Sequence, residues 1–157
     1  MKKPKQWLEN ILSYFSDKLD TAEGFLSKSK YKYISQRGDN DCATACIKMA
    51  TKGKYNEPHK TGSLKQLKEV LNKLNLIERF EYYVSKERKS LKKRDLLENK
   101  EGILLIREKG KDYGHYIFIN ELGEIFDPEE GINKTLEKYE RKNNFVIAKI
   151  KLKTLEG

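Results

Sequence analysis

Both cysteines of the 157-residue chain lie in one short stretch, SQRGDNDCATACIKMA, at residues 35–50. Asp41 is a favourable residue for the position just before a helix, so we expect Cys42 to be the first helical residue. Backbone N–H groups at a helix N-terminus stabilise a thiolate, which gives Cys42 the placement of a nucleophile. Cys46 follows one turn later among small and apolar residues, and we expect it to be a buried core side chain. Two cysteines spaced i and i+4 on one helix are poorly placed for a disulfide.

A thiol nucleophile requires a base, and the base requires a group that orients it. His59 lies in a polar loop beside Pro58, whereas His115 begins the strand-like run GHYIFI after a glycine. Asp127 follows twelve residues later, across a predicted hairpin turn, so adjacent antiparallel strands can bring its carboxylate to the imidazole. Cys42, His115 and Asp127, in this order on a helix start and a sheet, form a papain-like arrangement.

Gln36 supplies a fourth candidate, six residues before Cys42 at the entrance to the turn. Its amide N–H can join the backbone N–H of Cys42 in an oxyanion hole. We therefore expect a catalytic set of Cys42, His115, Asp127 and Gln36.

Each of these residues also has a structural interpretation. A single thiol is usually structural, and Asp127 alone can be a turn residue before Pro128. A zinc site made of Cys42, Cys46 and His115 would lack a fourth ligand and have an unusual spacing. The functional prediction depends on the whole set, and it includes no metal and no cofactor.

The elements that would position this set are readable from periodicity and turn signals. We expect the helix that carries Cys42 to run from Asp41 to about Thr51 and to stop at Gly53. The next helix, SLKQLKEVLNKLN, begins with capping-box spacing of Ser63 and Gln66, and its buried stripe comprises Leu64, Leu67, Val70, Leu71 and Leu74.

After that helix the period changes to that of strands. Strand-like runs occupy 79–84, 102–106 and 114–120, and NFVIAKIKL is a final strand. A hairpin turn leads into EIFD. Short helices are expected at SLKKRDLLEN and TLEKYE. Helices followed by an antiparallel sheet predict an α+β fold, with N-terminal helices packed on a C-terminal sheet.

The first 30 residues are predicted to be an N-terminal amphipathic helix and a linker, and residues 31–157 the enzyme domain. The helix, with an apolar face from Trp7 to Leu19, fits either a lid packed on the core, which we favour, or a membrane-surface helix. Glu9 and Asn10 interrupt the apolar stretch and argue against a signal peptide. No segment has the length of a membrane span. We expect a cytoplasmic protein, or one exported without a recognisable N-terminal signal.

The formal net charge of +9 favours acidic partners. Lysines interleaved with glutamates supply most of the excess, and the dense run KERKSLKKR at residues 86–94 is the exception. This run lacks interleaved aromatic residues, which makes sequence-specific nucleic-acid recognition a poor fit. We expect a peptide or protein substrate, acidic in character, and plain solvation of the lysines elsewhere.

The stretches YISQRGDNDCATACIKMA, GHYIFI and FDPEEG resemble the bacteriocin-leader-processing (double-glycine) cysteine peptidase domain. That domain is papain-like, and it occurs both in peptide-exporting ABC transporters and as stand-alone proteins. The resemblance covers about residues 31–131, and the matching positions are Gln36, Asp41, Cys42, Ala45, Met49, His115, Asp127 and Pro128. It implies Cys42 as nucleophile, His115 as general base, Asp127 as its orienter and Gln36 in the oxyanion hole.

One position departs from this pattern: Ala43 stands where family members usually have glycine after the nucleophile. We expect its methyl group to narrow the substrate cleft and to change specificity more than chemistry. The implied activity is hydrolysis of a peptide bond. The same triad can also carry out glutamine deamidation or acyl transfer. The alternative without catalysis is a binding module for peptide or nucleic acid on the same fold.

Overall fold

The computed structural model describes residues 27–38, 41–56 and 62–154. These residues form four α-helices, a short 3₁₀ helix and six β-strands. In chain order they are α1 (Cys42–Ala50), α2 (Leu64–Lys73), β1 (Ile77–Tyr82), the 3₁₀ helix (Ser85–Glu87), α3 (Lys93–Glu98), β2 (Gly102–Glu108), β3 (His115–Ile119), β4 (Ile125–Asp127), β5 (Gly131–Asn133), α4 (Glu137–Arg141) and β6 (Asn144–Leu152). The predicted α+β class is confirmed. The predicted N-terminal helix and His59 lie outside the described residues.

The six strands form one antiparallel sheet in the order β1-β6-β2-β3-β4-β5. The last strand of the chain therefore lies between β1 and β2, while β2, β3, β4 and β5 follow one another as a meander. The predicted hairpin of β3 and β4 is confirmed, with Phe118 opposite Phe126. At the far end of β3, His115 pairs with Ile106 of β2.

Both faces of the sheet are covered, which explains the uninterrupted apolar run GILLIR in β2. Ile103 and Leu105 pack into a core shared with α1 and α2. Leu104 and Ile106 pack into a second core, which includes side chains of α3 and α4. The expected packing of the first helices on the sheet is confirmed, and the opposite face is covered by helices that alternate with the strands.

Helix α2 begins as predicted, since Ser63 and Gln66 form a reciprocal capping box. Leu67, Val70 and Leu71 are buried, as the periodicity indicated. The prediction for Leu74 is wrong, because this residue is the C-cap and is 40% exposed. Leu76, just beyond the helix, is buried in the core instead.

Helix α1 begins at Cys42 and is buried along most of its length. Asp41 occupies the N-cap position, but it makes no side-chain capping hydrogen bond; its carboxylate accepts one from the backbone N–H of Arg37 (3.2 Å) and closes the preceding turn. The helix ends where predicted: Gly53 has φ +81° and donates its N–H to the carbonyl of Lys48 (2.7 Å).

An irregular segment, residues 27–36, crosses the sheet from one end to the other before α1 begins. At one end, the Ser27 hydroxyl donates to Glu124 (2.5 Å). In the middle, Tyr31 and Tyr33 are buried in the core, where Tyr33 packs edge-on against Phe126 (5.8 Å between ring centroids). The segment ends at the turn that precedes Cys42. Within the described ranges, the helices are too short and too polar to span a membrane.

Candidate active site

His115 and Asp127 form a close pair at one end of the β3–β4 hairpin. Nε2 of His115 lies 2.6 Å from Oδ1 of Asp127. Continuing the hairpin register past the Phe118–Phe126 pair sets Asp127 opposite Ile117, so His115 is its diagonal neighbour on the same face of the sheet. The predicted meeting of imidazole and carboxylate across the turn is thus a consequence of strand register.

The carboxylate of Asp127 is 1% exposed and fully hydrogen-bonded. Oδ1 also accepts the backbone N–H of Glu129 (3.0 Å), and Oδ2 accepts the hydroxyl of Tyr139 (2.7 Å). Burial raises the pKa of Asp127, but the hydrogen bond and charge of His115 and the donors of Tyr139 and Glu129 outweigh it, and the pKa is lowered. Asp127 is therefore an ionised group held in a fixed position.

The thiol of Cys42 lies near the His115 imidazole, close enough to raise its pKa. Because Nε2 is taken by Asp127, the ring nitrogen left for the thiol is Nδ1. Burial lowers the pKa of His115, but hydrogen bonds and charges of Asp127 and Cys42 more than compensate and raise it to about 10. A protonated imidazole beside a half-buried thiol is the arrangement that stabilises a thiolate–imidazolium pair.

Cys46 has the contrasting environment. It is 0% exposed within the core, as predicted. Burial raises its pKa well above that of an ordinary thiol, and the nearby charges of Cys42 and Asp127 act in the same direction. Cys46 is therefore a neutral apolar side chain one turn below the candidate nucleophile.

Gln36 is anchored to the turn that follows Asp127, because its backbone N–H donates to the carbonyl of Pro128 (2.8 Å). Its side-chain Nε2 donates to the carbonyl of Gly38 (2.9 Å), and Oε1 is buried without a hydrogen-bond partner among the described residues. An amide nitrogen has two N–H bonds, so one is left to meet a ligand. Gln36 lines the same cleft as Cys42, where the sequence placed it.

A single open cleft of about 590 Å³ joins these groups. A volume in this range suits a short length of peptide. Its lining includes Gln36, Cys42, Arg107, His115, Tyr116 and Asn144. All four candidate residues, Asp127 included, therefore border one space.

Two small residues shape the walls of this cleft. Ala43 lines it but is 1% exposed and packs into the core, so its influence on specificity stays a prediction. Gly114, the glycine before His115, has no room for a side chain: a Cβ there would lie 2.7 Å from Cδ1 of Leu105. The space beside this glycine is filled by β2.

Comparisons of the chain with protein-family models, with curated proteins and with solved structures give no significant match. The function is therefore argued from the geometry of the site. Among the described residues, no group of three or more His, Cys, Asp and Glu side chains is placed to hold a metal ion. The zinc alternative loses its second sulfur ligand, because Cys46 is enclosed in the core.

Two tyrosines that support the site escaped sequence analysis. Tyr139 of α4 donates to the carboxylate of Asp127, and Tyr33 donates to its backbone carbonyl (2.5 Å). Both are 4% exposed, so each hydroxyl needs a buried acceptor. The alternation in YKYIS and the helical pattern of TLEKYE indicate that these tyrosines are buried, but neither pattern identifies the acceptor.

Proposed function

We propose that the protein is a papain-like cysteine peptidase, a thiol hydrolase that cleaves a peptide or related amide bond through an acyl-enzyme. The observation that supports it best is the hydrogen-bonded pair of Asp127 and His115, which lies beside the half-buried thiol of Cys42 on an open cleft. A nucleophile at a helix start, with its base and orienting acid on an antiparallel sheet, is also the papain-like arrangement that the sequence resembles.

In the first half of the reaction, the thiolate of Cys42 attacks the carbonyl carbon of the scissile amide and forms a C–S bond. The negative charge that develops on the carbonyl oxygen is stabilised by the backbone N–H of Cys42 and the remaining N–H of Gln36. The imidazolium of His115 transfers its proton to the departing amine, the C–N bond breaks, and a thioester remains on Cys42.

In the second half, neutral His115 accepts a proton from a water molecule as the water oxygen attacks the thioester. The C–S bond breaks, the acid product leaves, and the proton returns the pair to its starting state. Asp127 keeps Nδ1 directed at the thiol and stabilises the imidazolium when it forms. The second oxygen of Asp127 accepts the hydroxyl of Tyr139, which helps to hold the carboxylate against the ring.

The test compares the two cysteines. Iodoacetamide is expected to alkylate Cys42 rapidly near neutral pH and to spare Cys46, which is 0% exposed. Cys42→Ala abolishes turnover and leaves the fold intact, whereas the matched Cys46→Ala keeps activity and loses about 1 kcal/mol of stability. Loss of activity in Cys46→Ala but not in Cys42→Ala contradicts the assignment.

The substrate search uses a proteome treated with wild-type protein or with Cys42→Ser. New N-termini that require Cys42 identify peptide hydrolysis. Conversion of Gln to Glu without chain cleavage identifies deamidation by the same triad. A Cys42 thiol no more reactive than a free thiol, together with tight peptide or nucleic-acid binding, identifies a non-catalytic module.

A further inference from the structure

We infer that Arg107 makes the cleft selective for peptides that carry a carboxylate near the scissile bond, an inference that rests on the proposed hydrolase function. Arg107 lines the same cleft as Cys42 and His115. It follows Ile106, the strand partner of His115, in β2. From strand geometry, its α-carbon lies roughly 6 Å from that of His115.

Among the described residues, the guanidinium of Arg107 differs from the other basic groups of the cleft in having no carboxylate partner. Lys111 is paired with Glu108 (2.9 Å), Lys142 with Glu130 (3.5 Å), and Lys138 also with Glu130. Arg107 forms no ion pair with the described residues, and its Nε is buried without a hydrogen-bond partner there. Of the basic side chains in this lining, Arg107 is thus the one left to a ligand.

The chemistry of a guanidinium determines what this ligand is. Arginine presents its N–H donors in a planar fork that fits both oxygens of a carboxylate. A bound carboxylate would neutralise a guanidinium charge that no described carboxylate neutralises, through a charge-assisted hydrogen bond. The carboxylate comes from an Asp or Glu side chain or from the C-terminus of the substrate.

The topology also says where the carboxylate lies. Strand β3, with His115, has β2 on one side and β4 on the other. Arg107 is therefore on the β2 side, whereas the exposed Glu129, also in the cleft lining, follows β4 on the other side. A substrate carboxylate is attracted to the β2 side and repelled at the other.

The experiment measures how fast matched electrophilic peptides alkylate Cys42 in the full chain. The probes are bromoacetyl peptides and peptidyl chloromethyl ketones that carry Glu or Gln within three residues of the reactive carbon. A further bromoacetyl pair ends in a free carboxylate or in an amide. We expect the carboxylate peptide of at least one pair to react about tenfold faster than its neutral match, as a charge-assisted hydrogen bond allows. The pair with the larger preference identifies the source of the carboxylate.

The decisive quantity is the alkylation rate of the carboxylate peptide divided by that of its neutral match, measured within each variant. A general change in the reactivity of the thiol affects both rates and cancels from this ratio. We expect Arg107→Gln to bring the ratio close to one and Arg107→Lys to retain part of it. The control Lys109→Gln removes an exposed charge two residues away, outside the cleft lining, and keeps the ratio. A wild-type ratio near one, or a ratio unchanged in Arg107→Gln, overturns the inference while a reactive Cys42 still supports the hydrolase. Failure of every probe to label Cys42 overturns both.

Discussion

Two carboxylates, at opposite ends of the sheet, each accept a hydrogen bond from a buried tyrosine. Glu101 precedes β2, where it accepts the hydroxyl of Tyr31 (2.7 Å) and pairs with Lys30 (2.6 Å). Asp127 ends β4, where Tyr139 and His115 take the corresponding places. The two groups share a carboxylate, a tyrosine and a cation.

What differs is the cation and what lies beyond it. Lys30 has a partly exposed side chain, and it pairs with Glu101 far from both cysteines of the chain. His115 is enclosed between Asp127 and the Cys42 thiol, and an imidazole can accept and release a proton during a reaction. A hydrogen-bonded ion pair becomes a candidate for catalysis only when a titratable base connects it to a nucleophile.

The largest effect that this comparison predicts is on activity. Asp127→Asn is expected to reduce kcat/KM by about 10²–10⁴-fold, because the imidazole loses its orienting charge. The matched change at the other end, Glu101→Gln, is expected to leave activity intact and to cost about 1 kcal/mol or more of stability. Steady-state kinetics and urea unfolding on both variants check this, and equal loss of activity in the two would remove the distinction.

The free energy of unfolding should depend on pH in opposite ways for the two pairs: one loses its contribution in alkali and the other in acid. Burial lowers the pKa of His115, but Asp127 and Cys42 raise it to about 10. The stability that His115 contributes is therefore fully present below the pKa of an unfolded histidine, about 6.5. It is lost as pH rises through about 10. Burial raises the pKa of Glu101, but donors such as Lys30 and Tyr31 lower it. The contribution of Glu101 is therefore present above its unfolded pKa and is lost as pH falls through its lowered pKa.

Urea unfolding at a series of pH values tests these signs. The destabilisation caused by His115→Gln is expected to shrink above pH of about 10, whereas that caused by Glu101→Gln persists there and shrinks in acid. The alkaline limb of kcat/KM should also lie near pH 10 in the wild type and move down in Asp127→Asn. A destabilisation by His115→Gln that is constant across this range would contradict a raised pKa.

Sequence reasoning located the site because its main elements are local. The helix start at Cys42 and the hairpin that joins His115 to Asp127 depend on turn and periodicity signals within a few residues. The α+β class followed from the change of period after α2. The position of β6 between β1 and β2 has no such signal, since it joins strands far apart in the chain.

The parts that sequence could not supply depend on tertiary contacts. Tyr139 reaches Asp127 from α4, beyond β5, and Tyr33 reaches it from a segment before α1. That no described carboxylate pairs with Arg107 is visible only once the carboxylates around the cleft are located. Leu74 matched the helical stripe, yet it lies at the helix end, where Leu76 is buried instead.

Removing the tyrosine hydroxyl at each end tests the comparison at a finer level. Tyr139→Phe takes one donor from Asp127, and we expect about a tenfold loss of kcat with a stability loss of roughly 1.5–3 kcal/mol, because the acceptor is a buried charge. Tyr31→Phe is the matched control and is expected to lose stability without affecting kcat. Equal kinetics in the two variants would make Tyr139 a purely structural residue.

The smallest predicted effect concerns the basic run at residues 86–94, which carries six positive charges and one negative charge. Lys89, Lys92 and Lys93 are exposed, as expected, and none of the described carboxylates forms an ion pair with them. Charges that do not line the cleft steer an acidic substrate by raising the association rate, and salt screens them within about 10 Å. Reversing these three lysines to Glu should therefore lower kcat/KM a few-fold at low salt, with kcat unchanged and little effect at high salt. Kinetics at two ionic strengths provide the check.

The contrary outcome is tight binding of DNA or RNA by the wild type that is salt-sensitive and is lost in the triple variant. This result would assign the run to nucleic acid, since each neutralised phosphate makes affinity fall steeply with salt.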